Sequence, residues 1–212
     1  MGGTSCRAVA GRTAVRLRTV RQARVLVDAA VRLIGRKGDA FTTQELAKEA
    51  GIALQTFYRY FASKGELLLA VIADTITAAA ESWVAASADV QDPIDRLHFY
   101  ITSIFGTIDD GGDDAARALF IVSTHWRLHR ILPTGPAAAE KPLVDVMLGE
   151  IRRGQDAGLL RPPKPVVDAW FILELVRSVF HHYAYDPNRS DALKADLWNF
   201  CLSALGGTVP ES

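Results

Sequence analysis

The stretch that decides the fold reads FTTQELAKEAGIALQTFYRYF and runs from Phe41 to Phe61. Thr42, followed three residues later by Glu45, predicts a capping box at the start of a helix. Gly51 ends this helix, because glycine tolerates the positive φ that a tight turn requires. A second helix is predicted from Leu54 to Phe61. Two short helices joined by such a turn are typical of a helix-turn-helix.

The side chains of this stretch also meet the packing demands of that motif. Ala47 is small at the point where the second helix must cross the first closely. The apolar anchors that would face a preceding helix are Leu46, Ile52, Phe57 and Phe61. The outward face of the second helix carries groups that reach a groove edge or a phosphate, namely Gln55, Thr56, Tyr58, Arg59 and Tyr60. An ordinary helical hairpin with a polar face is the alternative, but solubility alone does not require this combination.

From about Val20 to Val71 the sequence resembles the TetR family of bacterial repressors. Residues 56–68 read TFYRYFASKGELL. They follow the family pattern of threonine, an apolar residue, tyrosine, a variable residue, histidine or tyrosine, phenylalanine, and then Ser-Lys-x-x-Leu. The resemblance implies three N-terminal helices that bind DNA and a helical remainder that forms a ligand cavity and a dimer interface. It also implies a regulator, by family habit a repressor, and not an enzyme.

The resemblance assigns phosphate contacts to four positions of this chain. Thr43, at the start of the first helix of the motif, matches a residue that contacts phosphate. Tyr58 and Tyr60 match residues that touch phosphate or a thymine methyl. Lys64 matches the lysine that holds the DNA backbone at the start of the fourth helix.

The resemblance assigns base contacts to the beginnings of both helices. Gln44 matches a position that reaches a base, and Leu54, Gln55 and Thr56 open the recognition helix, where base edges are read. Leu54 departs from the pattern, since a polar base-reading residue often stands there, although leucine can touch a thymine methyl. We therefore expect direct readout to rest on Gln44, Gln55 and Arg59.

Charge is distributed unevenly along a chain whose net charge is zero. Residues 1–64 hold 12 basic and 4 acidic residues, whereas residues 65–212 hold 12 basic and 20 acidic residues. This asymmetry indicates a polyanionic partner for the first part, although it is also compatible with simple solubility. Residues 1–18 contain no acidic residue and four arginines, namely Arg7, Arg12, Arg16 and Arg18. These arginines either contact DNA or belong to a disordered terminus without such a role.

The hydrophobic period and the turn residues predict an all-α fold of about nine helices. A first helix starts near Thr19 and ends at Gly38. The helices predicted after the motif are 64–87, 93–108, 113–131, 136–157, 165–185 and 189–205. We expect a flexible basic arm over residues 1–18, a helix-turn-helix DNA-binding domain over 19–63, and a helical effector-binding and dimerisation domain over 64–212.

The last two predicted helices are apolar on more than one face. In each of them the apolar residues cover more than one stripe. In the first they are Val166, Val167, Trp170, Phe171, Leu173, Val176, Val179 and Phe180, and in the second Leu193, Leu197, Trp198, Phe200, Cys201 and Leu205. A helix with two apolar faces buries one in its own core and the other against a partner. We expect a homodimer, because two helix-turn-helix motifs related by a two-fold axis double the contacts with a pseudo-palindromic site. The resemblance assigns the interface to these two helices.

The helical body is expected to bind a small hydrophobic or amphipathic effector. Its candidate lining residues are Trp83, Phe99, Phe105, Phe120, Trp126, His129, Trp170 and Phe171. Polar contacts would come from His125 and His129, or from His182 and Tyr183. Aromatic side chains at helical spacing also fit a plain core. A dimeric DNA-binding adaptor without a small-molecule ligand is therefore the first alternative function.

No cofactor or metal is predicted. His125 and His129 have the i, i+4 spacing of metal ligands, but no acid completes the site in sequence. The aspartates around Gly111 and Gly112 lack the ordered spacing of a calcium loop. A helical enzyme is the second alternative function, and no nucleophile motif or phosphate-binding loop supports it.

The cellular location is predicted from the cysteines and the apolar runs. Cys6 and Cys201 stand at opposite ends of the chain, so we expect free thiols in a reducing compartment. The first residues lack the apolar core of a signal peptide, and uninterrupted apolar runs such as residues 67–73 are too short to span a bilayer. We therefore expect a cytoplasmic protein.

Overall fold

The computed structural model describes the backbone of residues 4–186 and 190–209, and the side chains of these ranges from residue 21 onward. Within them the fold is all-α, as predicted, and contains nine helices. These are α1 (Thr4–Lys37), α2 (Thr43–Ala50), α3 (Leu54–Tyr60), α4 (Lys64–Ala86), α5 (Pro93–Asp110), α6 (Gly112–Ile131), α7 (Gly135–Asp156), α8 (Pro165–Tyr185) and α9 (Asp191–Ala204). The chain divides into two compact units, residues 1–71 and 72–212, and the boundary falls inside α4.

Helix α1 begins earlier than the sequence pattern indicates. The sequence predicts a flexible arm over residues 1–18, whereas the backbone is helical from Thr4. Alanine and arginine are strong helix formers, and this segment contains both, so a helical backbone does not require an apolar period there. The side chains of the arm, including Cys6 and the four arginines, lie outside the described residues.

An apolar seam between α1, α2 and α3 forms the core of the first unit. On α1 the buried positions repeat at three-and-four spacing; they are Leu26, Val27, Ala29, Ala30, Leu33 and Ile34. Phe41, in the loop before α2, is also fully buried. Burial of these side chains fixes the side of α1 against which the two short helices lie.

Ion pairs join the C-terminal half of α1 to α2 at the surface of the seam. Arg32 Nε lies 2.9 Å from Glu49 Oε1, and Lys37 Nζ lies 2.6 Å from Glu45 Oε1. The hydrogen bonds from Lys37 and from the backbone of Thr42 lower the pKa of Glu45 to about 2. Because these pairs are exposed, they orient the two helices more than they stabilise them.

Helix α5 is the centre of the second unit and contacts α6, α7, α8 and α9. Its buried face carries Leu97, Tyr100, Ile101 and Phe105, all at most 1% exposed. The Phe105 ring packs edge-on against Tyr183 of α8, with 5.1 Å between centroids, which is a favourable aromatic geometry. This packing places α8 and α9 around the apolar side of α5.

Local capping signals set the ends of the helices in the second unit. Asp92 caps α5, because its carboxylate accepts hydrogen bonds from the backbone of Ile94 at 2.7 Å and Asp95 at 3.3 Å. Pro93 follows at the first helical position, where its missing N–H is not needed. Helices α4 to α9 begin and end within two residues of their predicted bounds.

Among the described residues, α4 is long and apolar enough, by length and composition alone, to cross a membrane. The sequence prediction considered only uninterrupted apolar runs, which are too short to span a bilayer. Helix α4 meets the criterion because its mean hydropathy stays high although polar residues are scattered along it. A core helix passes the same test. Five apolar side chains along its first half are buried, namely Leu67, Leu68, Val71, Ile72 and Ile76.

Cys201 of α9 is a free thiol, as predicted, and is buried. Burial raises its pKa to about 12, since the apolar surroundings disfavour the thiolate. The thiol is therefore neutral at physiological pH and poorly nucleophilic, which identifies Cys201 as a packing residue.

Candidate nucleic-acid interface

The predicted capping box starts α2. The Thr42 hydroxyl accepts a hydrogen bond from the backbone N–H of Glu45 at 3.1 Å, and the Glu45 carboxylate accepts one from the backbone N–H of Thr42 at 2.8 Å. Gly51 ends the helix with φ of 66°, the left-handed conformation that favours glycine. The turn between α2 and α3 is therefore fixed at both ends by residues that the sequence singles out.

The four predicted anchors hold α2 and α3 against the core of the first unit. Leu46 and Phe57 are fully buried, and Ile52 and Phe61 are half-buried. Ala47 is buried at the contact between the helices. The stacked rings of Phe57 and Phe61, 6.1 Å apart, fix the direction in which the chain leaves α3.

The predicted DNA-contacting residues lie together on the outer side of this motif. Gln44, Gln55 and Arg59 are exposed, and Tyr58 is 52% exposed. The half-buried members of the set are Thr43, Leu54, Thr56, Tyr60 and Lys64. The residues expected to read bases thus stand at the beginnings of α2 and α3, where a groove is within reach.

Tyr60 and Arg59 are connected to α1. The Tyr60 hydroxyl donates a hydrogen bond to Gln22 Oε1, and Arg59 Nη2 donates to the same oxygen at 3.4 Å. Arg59 Nη2 also donates to the Tyr60 hydroxyl at 3.2 Å, and the guanidinium lies 5.0 Å from the centre of the Tyr60 ring. Gln22 was missed from the sequence because its partners are 37 and 38 residues away.

Lys64 is bound to the loop between α1 and α2. Its ammonium donates hydrogen bonds to the backbone carbonyls of Asp39 and Phe41, the latter at 2.5 Å, and lies 4.3 Å from the centre of the Phe41 ring. These contacts tie the start of α4 to the residues that precede α2. They give Lys64 a structural role in addition to the phosphate contact that the resemblance implies.

Replacing Thr42 by alanine is expected to destabilise the first unit by about 1 kcal/mol. The substitution removes the hydroxyl that caps α2 and leaves an unpaired N–H at Glu45. Urea unfolding followed by circular dichroism measures the loss. Thr42→Ser keeps the hydroxyl and is the matched control; equal losses in the two variants would contradict a capping role.

The residues predicted to line an effector site differ in their exposure. Phe105 and Phe120 are buried, and Trp83, Phe99 and His129 are half-buried. In contrast, Trp126 is 71% exposed, Trp170 46% and Phe171 57%. The sequence could not distinguish the buried from the exposed aromatic residues, because helical spacing alone does not show whether an aromatic side chain faces the core or the surface.

A buried polar cluster joins α6, α7 and α8. His125 Nδ1 lies 3.1 Å from Glu140 Oε1, and Arg177 Nη1 lies 3.2 Å from the same carboxylate oxygen. Arg177 Nη2 lies 2.6 Å from Glu174 Oε1. Local spacing does not reveal the acid beside His125, because Glu140 belongs to another helix. Within the described residues no group of three or more His, Cys, Asp or Glu side chains is placed to hold a metal ion.

Comparison with known proteins relates the helix-turn-helix segment of the chain to a family. Residues 26–71 match the sequence profile described as "Bacterial regulatory proteins, tetR family". The HTH-type transcriptional regulator BetI of Rhizobium meliloti (strain 1021) is 36% identical over 83 residues, which are 39% of this chain and 41% of BetI. The aligned segment therefore spans about two fifths of that relative.

Two solved structures share the fold over most of the chain. RolR in complex with the ligand resorcinol has a TM-score of 0.70 and 15% identity, and the match covers 91% of each chain. FadR of Thermus thermophilus, a TetR-family transcriptional repressor in complex with lauroyl-CoA, has a TM-score of 0.67 and 21% identity. That match covers 90% of this chain and 97% of FadR. At such identities the likeness shows a common fold.

The capped helix-turn-helix has a polar outer face, and a larger helical unit follows it in the chain. Residues 26–71 match the TetR family of bacterial regulatory proteins, in agreement with the resemblance of residues 20–71. Over most of its length the chain also shares the fold of RolR and FadR.

Proposed function

We propose that the protein is a homodimeric repressor that binds a pseudo-palindromic operator and is released from it by a small, hydrophobic effector. The observation that carries the proposal is the exposed face of α2 and α3, where groups suited to base edges and phosphates stand on a rigidly capped motif. Such a regulator works in the cytoplasm, where the operator DNA is.

The exposed amides of this face are the proposed base readers. Gln55 stands at the second position of α3, and Gln44 at the second position of α2. Glutamine pairs in a bidentate manner with adenine N6 and N7, whereas Leu54 and the methyl of Thr56 suit a thymine methyl. Thr43, Tyr58, Tyr60 and Lys64 are the proposed phosphate contacts.

Selection from a library of random duplexes is expected to enrich a two-fold symmetric site for the wild-type protein. Gln55→Ala then weakens binding to that site about 5- to 150-fold and relaxes the preference at one base pair of each half-site, because one bidentate pair contributes about 1–3 kcal/mol of discrimination. Fluorescence anisotropy on the selected duplex and on its single-base variants measures both effects. A wild-type protein that enriches no sequence would contradict the proposed function.

The arginines of residues 1–18 extend the proposal to the flanking DNA. Arg7, Arg12, Arg16 and Arg18 would neutralise phosphates or enter a narrow minor groove. An unchanged salt dependence of binding in a chain that lacks residues 1–17 would contradict this role.

Exposed apolar side chains on the last two helices support the dimer. On α8 they recur at positions 166, 167, 170 and 171, which lie on one side of the helix, and on α9 Phe200 is 64% exposed. Apolar groups of this size are covered by a partner in stable assemblies. We therefore propose α8 and α9 as the subunit interface.

Effector release is proposed as a shift between two populations of the dimer. One form holds the recognition helices at the separation of successive half-sites, about 34–36 Å, and effector binding favours a form with another separation. Helix α4 is the proposed transmitter, since it runs through the boundary between the two units. A coupling free energy of about 1–3 kcal/mol would lower operator affinity about 5- to 150-fold.

The effector part of the proposal is tested with the ligands of the structural neighbours. Lauroyl-CoA and resorcinol, which FadR and RolR bind in their crystal structures, serve as first probes in a thermal-shift experiment, followed by a panel of hydrophobic metabolites. A compound that raises the melting temperature and lowers operator affinity supports the repressor. If no compound in the panel does both, the dimeric adaptor without a ligand becomes the better description.

A further inference from the structure

The last turn of α3 is directed toward α1 by a three-residue network. Gln22 Oε1 accepts hydrogen bonds from the Tyr60 hydroxyl and from Arg59 Nη2, and Arg59 Nη2 also donates to the Tyr60 hydroxyl. The ring of Tyr60 lies under the guanidinium of Arg59, 5.0 Å from its central carbon. The aromatic face and the shared oxygen hold the guanidinium at the edge where α1 and α3 meet.

From this geometry we infer that Arg59 is a phosphate clamp and not a base reader, and that Gln22 and Tyr60 position it. The inference rests on the proposed function, because it assumes that α3 enters a major groove. It revises the expectation from sequence, which groups Arg59 with Gln44 and Gln55.

The placement of Arg59 along α3 supports this role. A recognition helix presents its N-terminal residues to base edges, so Leu54, Gln55 and Thr56 occupy that position here. Arg59 is in the last turn, and its side chain bends toward α1 instead of extending from the tip of the helix. A cation at that edge meets the DNA backbone that lines the groove.

The hydrogen-bonding capacity of Arg59 fits an anion. Among the described residues, the side-chain hydrogen bonds that Arg59 donates all come from Nη2. The N–H groups of Nε and Nη1 can therefore donate to a phosphate oxygen. A guanidinium presents these donors in a planar fork that matches a phosphate. Lys64, in contrast, already donates to the carbonyls of Asp39 and Phe41.

Gln22 acts through Arg59, so it is a positioning residue. Its Oε1 accepts a hydrogen bond from Arg59 and so holds the arginine on the α1 side of the network. Because the arginine is already ordered before DNA binds, binding costs less side-chain entropy. Tyr60 contributes the hydroxyl and the ring that complete the arrangement.

The salt dependence of DNA binding distinguishes a phosphate clamp from a base reader. The wild-type protein and the Arg59→Ala, Gln22→Ala and Tyr60→Phe variants are titrated between 50 and 300 mM KCl, by anisotropy, against the selected duplex and a scrambled duplex of equal length. Arg59→Ala is expected to lower the slope of log affinity against log salt by about 0.9 for each half-site. It should weaken binding to the two duplexes by the same factor, about ten-fold for each half-site.

The positioning role predicts a defined pattern of coupling. Gln22→Ala and Tyr60→Phe should reproduce part of the Arg59→Ala loss on both duplexes without changing the base preference. In the Arg59→Ala background, Gln22→Ala should cause no additional loss. A purely structural Gln22 would instead weaken binding equally with and without Arg59, and that result would overturn the positioning role.

Two control variants separate this effect from other losses. Arg152→Ala removes an equally exposed positive charge from α7 in the second unit and should leave the slope unchanged. Gln55→Ala should change the base preference while keeping the slope. If Arg59→Ala relaxes the preference at one base pair with an unchanged slope, Arg59 is a base reader and the inference is wrong. If the wild-type protein selects no sequence, the proposed function itself has failed.

Discussion

Replacing Phe171 by aspartate is expected to convert the proposed homodimer into a monomer and to abolish tight binding to the proposed operator. Phe171 is 57% exposed within a single chain, so the change leaves the fold of the monomer intact. A two-fold axis would place the substitution in the interface twice, and a buried aromatic anchor contributes about 2 kcal/mol or more. We therefore expect the dimer dissociation constant to rise about 1000-fold. Sedimentation velocity at micromolar concentration measures it.

The matched control for this substitution is Trp126→Asp. Trp126 is 71% exposed on α6, outside the proposed interface, so an aspartate there adds the same charge to a position that is at least as exposed as Phe171. The control should remain dimeric and keep its affinity for the selected duplex. A dimeric Phe171→Asp variant, or a monomeric Trp126→Asp variant, would move the interface away from α8 and α9.

A monomer should also bind DNA differently. One helix-turn-helix contacts one half-site, so the Phe171→Asp variant should lose the advantage of the symmetric duplex over a duplex with a single half-site. Anisotropy titrations on the two duplexes test this directly. If the ratio of the affinities for the symmetric and the single-half-site duplex is the same in the wild type and the variant, dimerisation is not the reason for the preference for the symmetric site.

The parts of the fold that follow from the sequence are those specified by neighbouring residues. Thr42 and Glu45 fix the start of α2, Gly51 fixes its end, and Asp92 fixes the start of α5, each through contacts within three residues. Such signals are strong because capping groups and left-handed glycines satisfy backbone donors and acceptors that have no partner within the helix. The motif and the bounds of α2 to α9 could therefore be predicted, whereas the start of α1 could not.

The contacts that set side-chain roles join residues far apart in the chain. Gln22 reaches α3, Lys64 reaches the loop before α2, and Arg177 reaches His125 across 52 residues. No local pattern encodes these pairs, since each depends on which helices become neighbours. Arg59 illustrates the consequence, because its exposure was predicted while its hydrogen bond to Gln22 of α1 was not.

Which of the predicted effector-lining residues are buried could not be predicted for a related reason. Helix periodicity identifies an apolar face but not what covers it. Trp170 and Phe171 share the composition of core residues such as Phe105, yet they are exposed on α8 while Phe105 is buried. The sequence had predicted both a pocket and an interface for these two aromatics, and their exposure favours the interface.

The second large effect is expected from the buried cluster of α6, α7 and α8. Arg177→Met should destabilise the second unit by about 3–5 kcal/mol, because it leaves Glu140 buried without its cation. Arg177 is 9% exposed and Glu140 5%, so little water is available to compensate. The urea concentration at the midpoint of unfolding, followed by tryptophan fluorescence, measures the loss.

Removing the acid as well should recover most of this stability. In the double variant with Arg177→Met and Glu140→Gln no uncompensated charge remains buried at position 140, which avoids the main cost of breaking a buried ion pair. Glu174, the other partner of Arg177, keeps its charge but is partly exposed to water. Losses that simply add would show that the two side chains do not interact. Thr42→Ala, which acts on the first unit, should add its loss independently of either change, since residues with no shared partners contribute separately.

The double variant also tests whether the cluster serves regulation as well as stability. His125, Glu140 and Arg177 are on three different helices of the second unit, so their contacts restrain how α6, α7 and α8 move relative to one another. If that restraint contributes to release, the stable double variant should bind the operator like the wild type yet respond less to an effector. Apolar packing stabilises these helices without specifying one arrangement, whereas a directional charge pair penalises the alternatives. An unchanged effector response in the double variant would assign the cluster to stability alone.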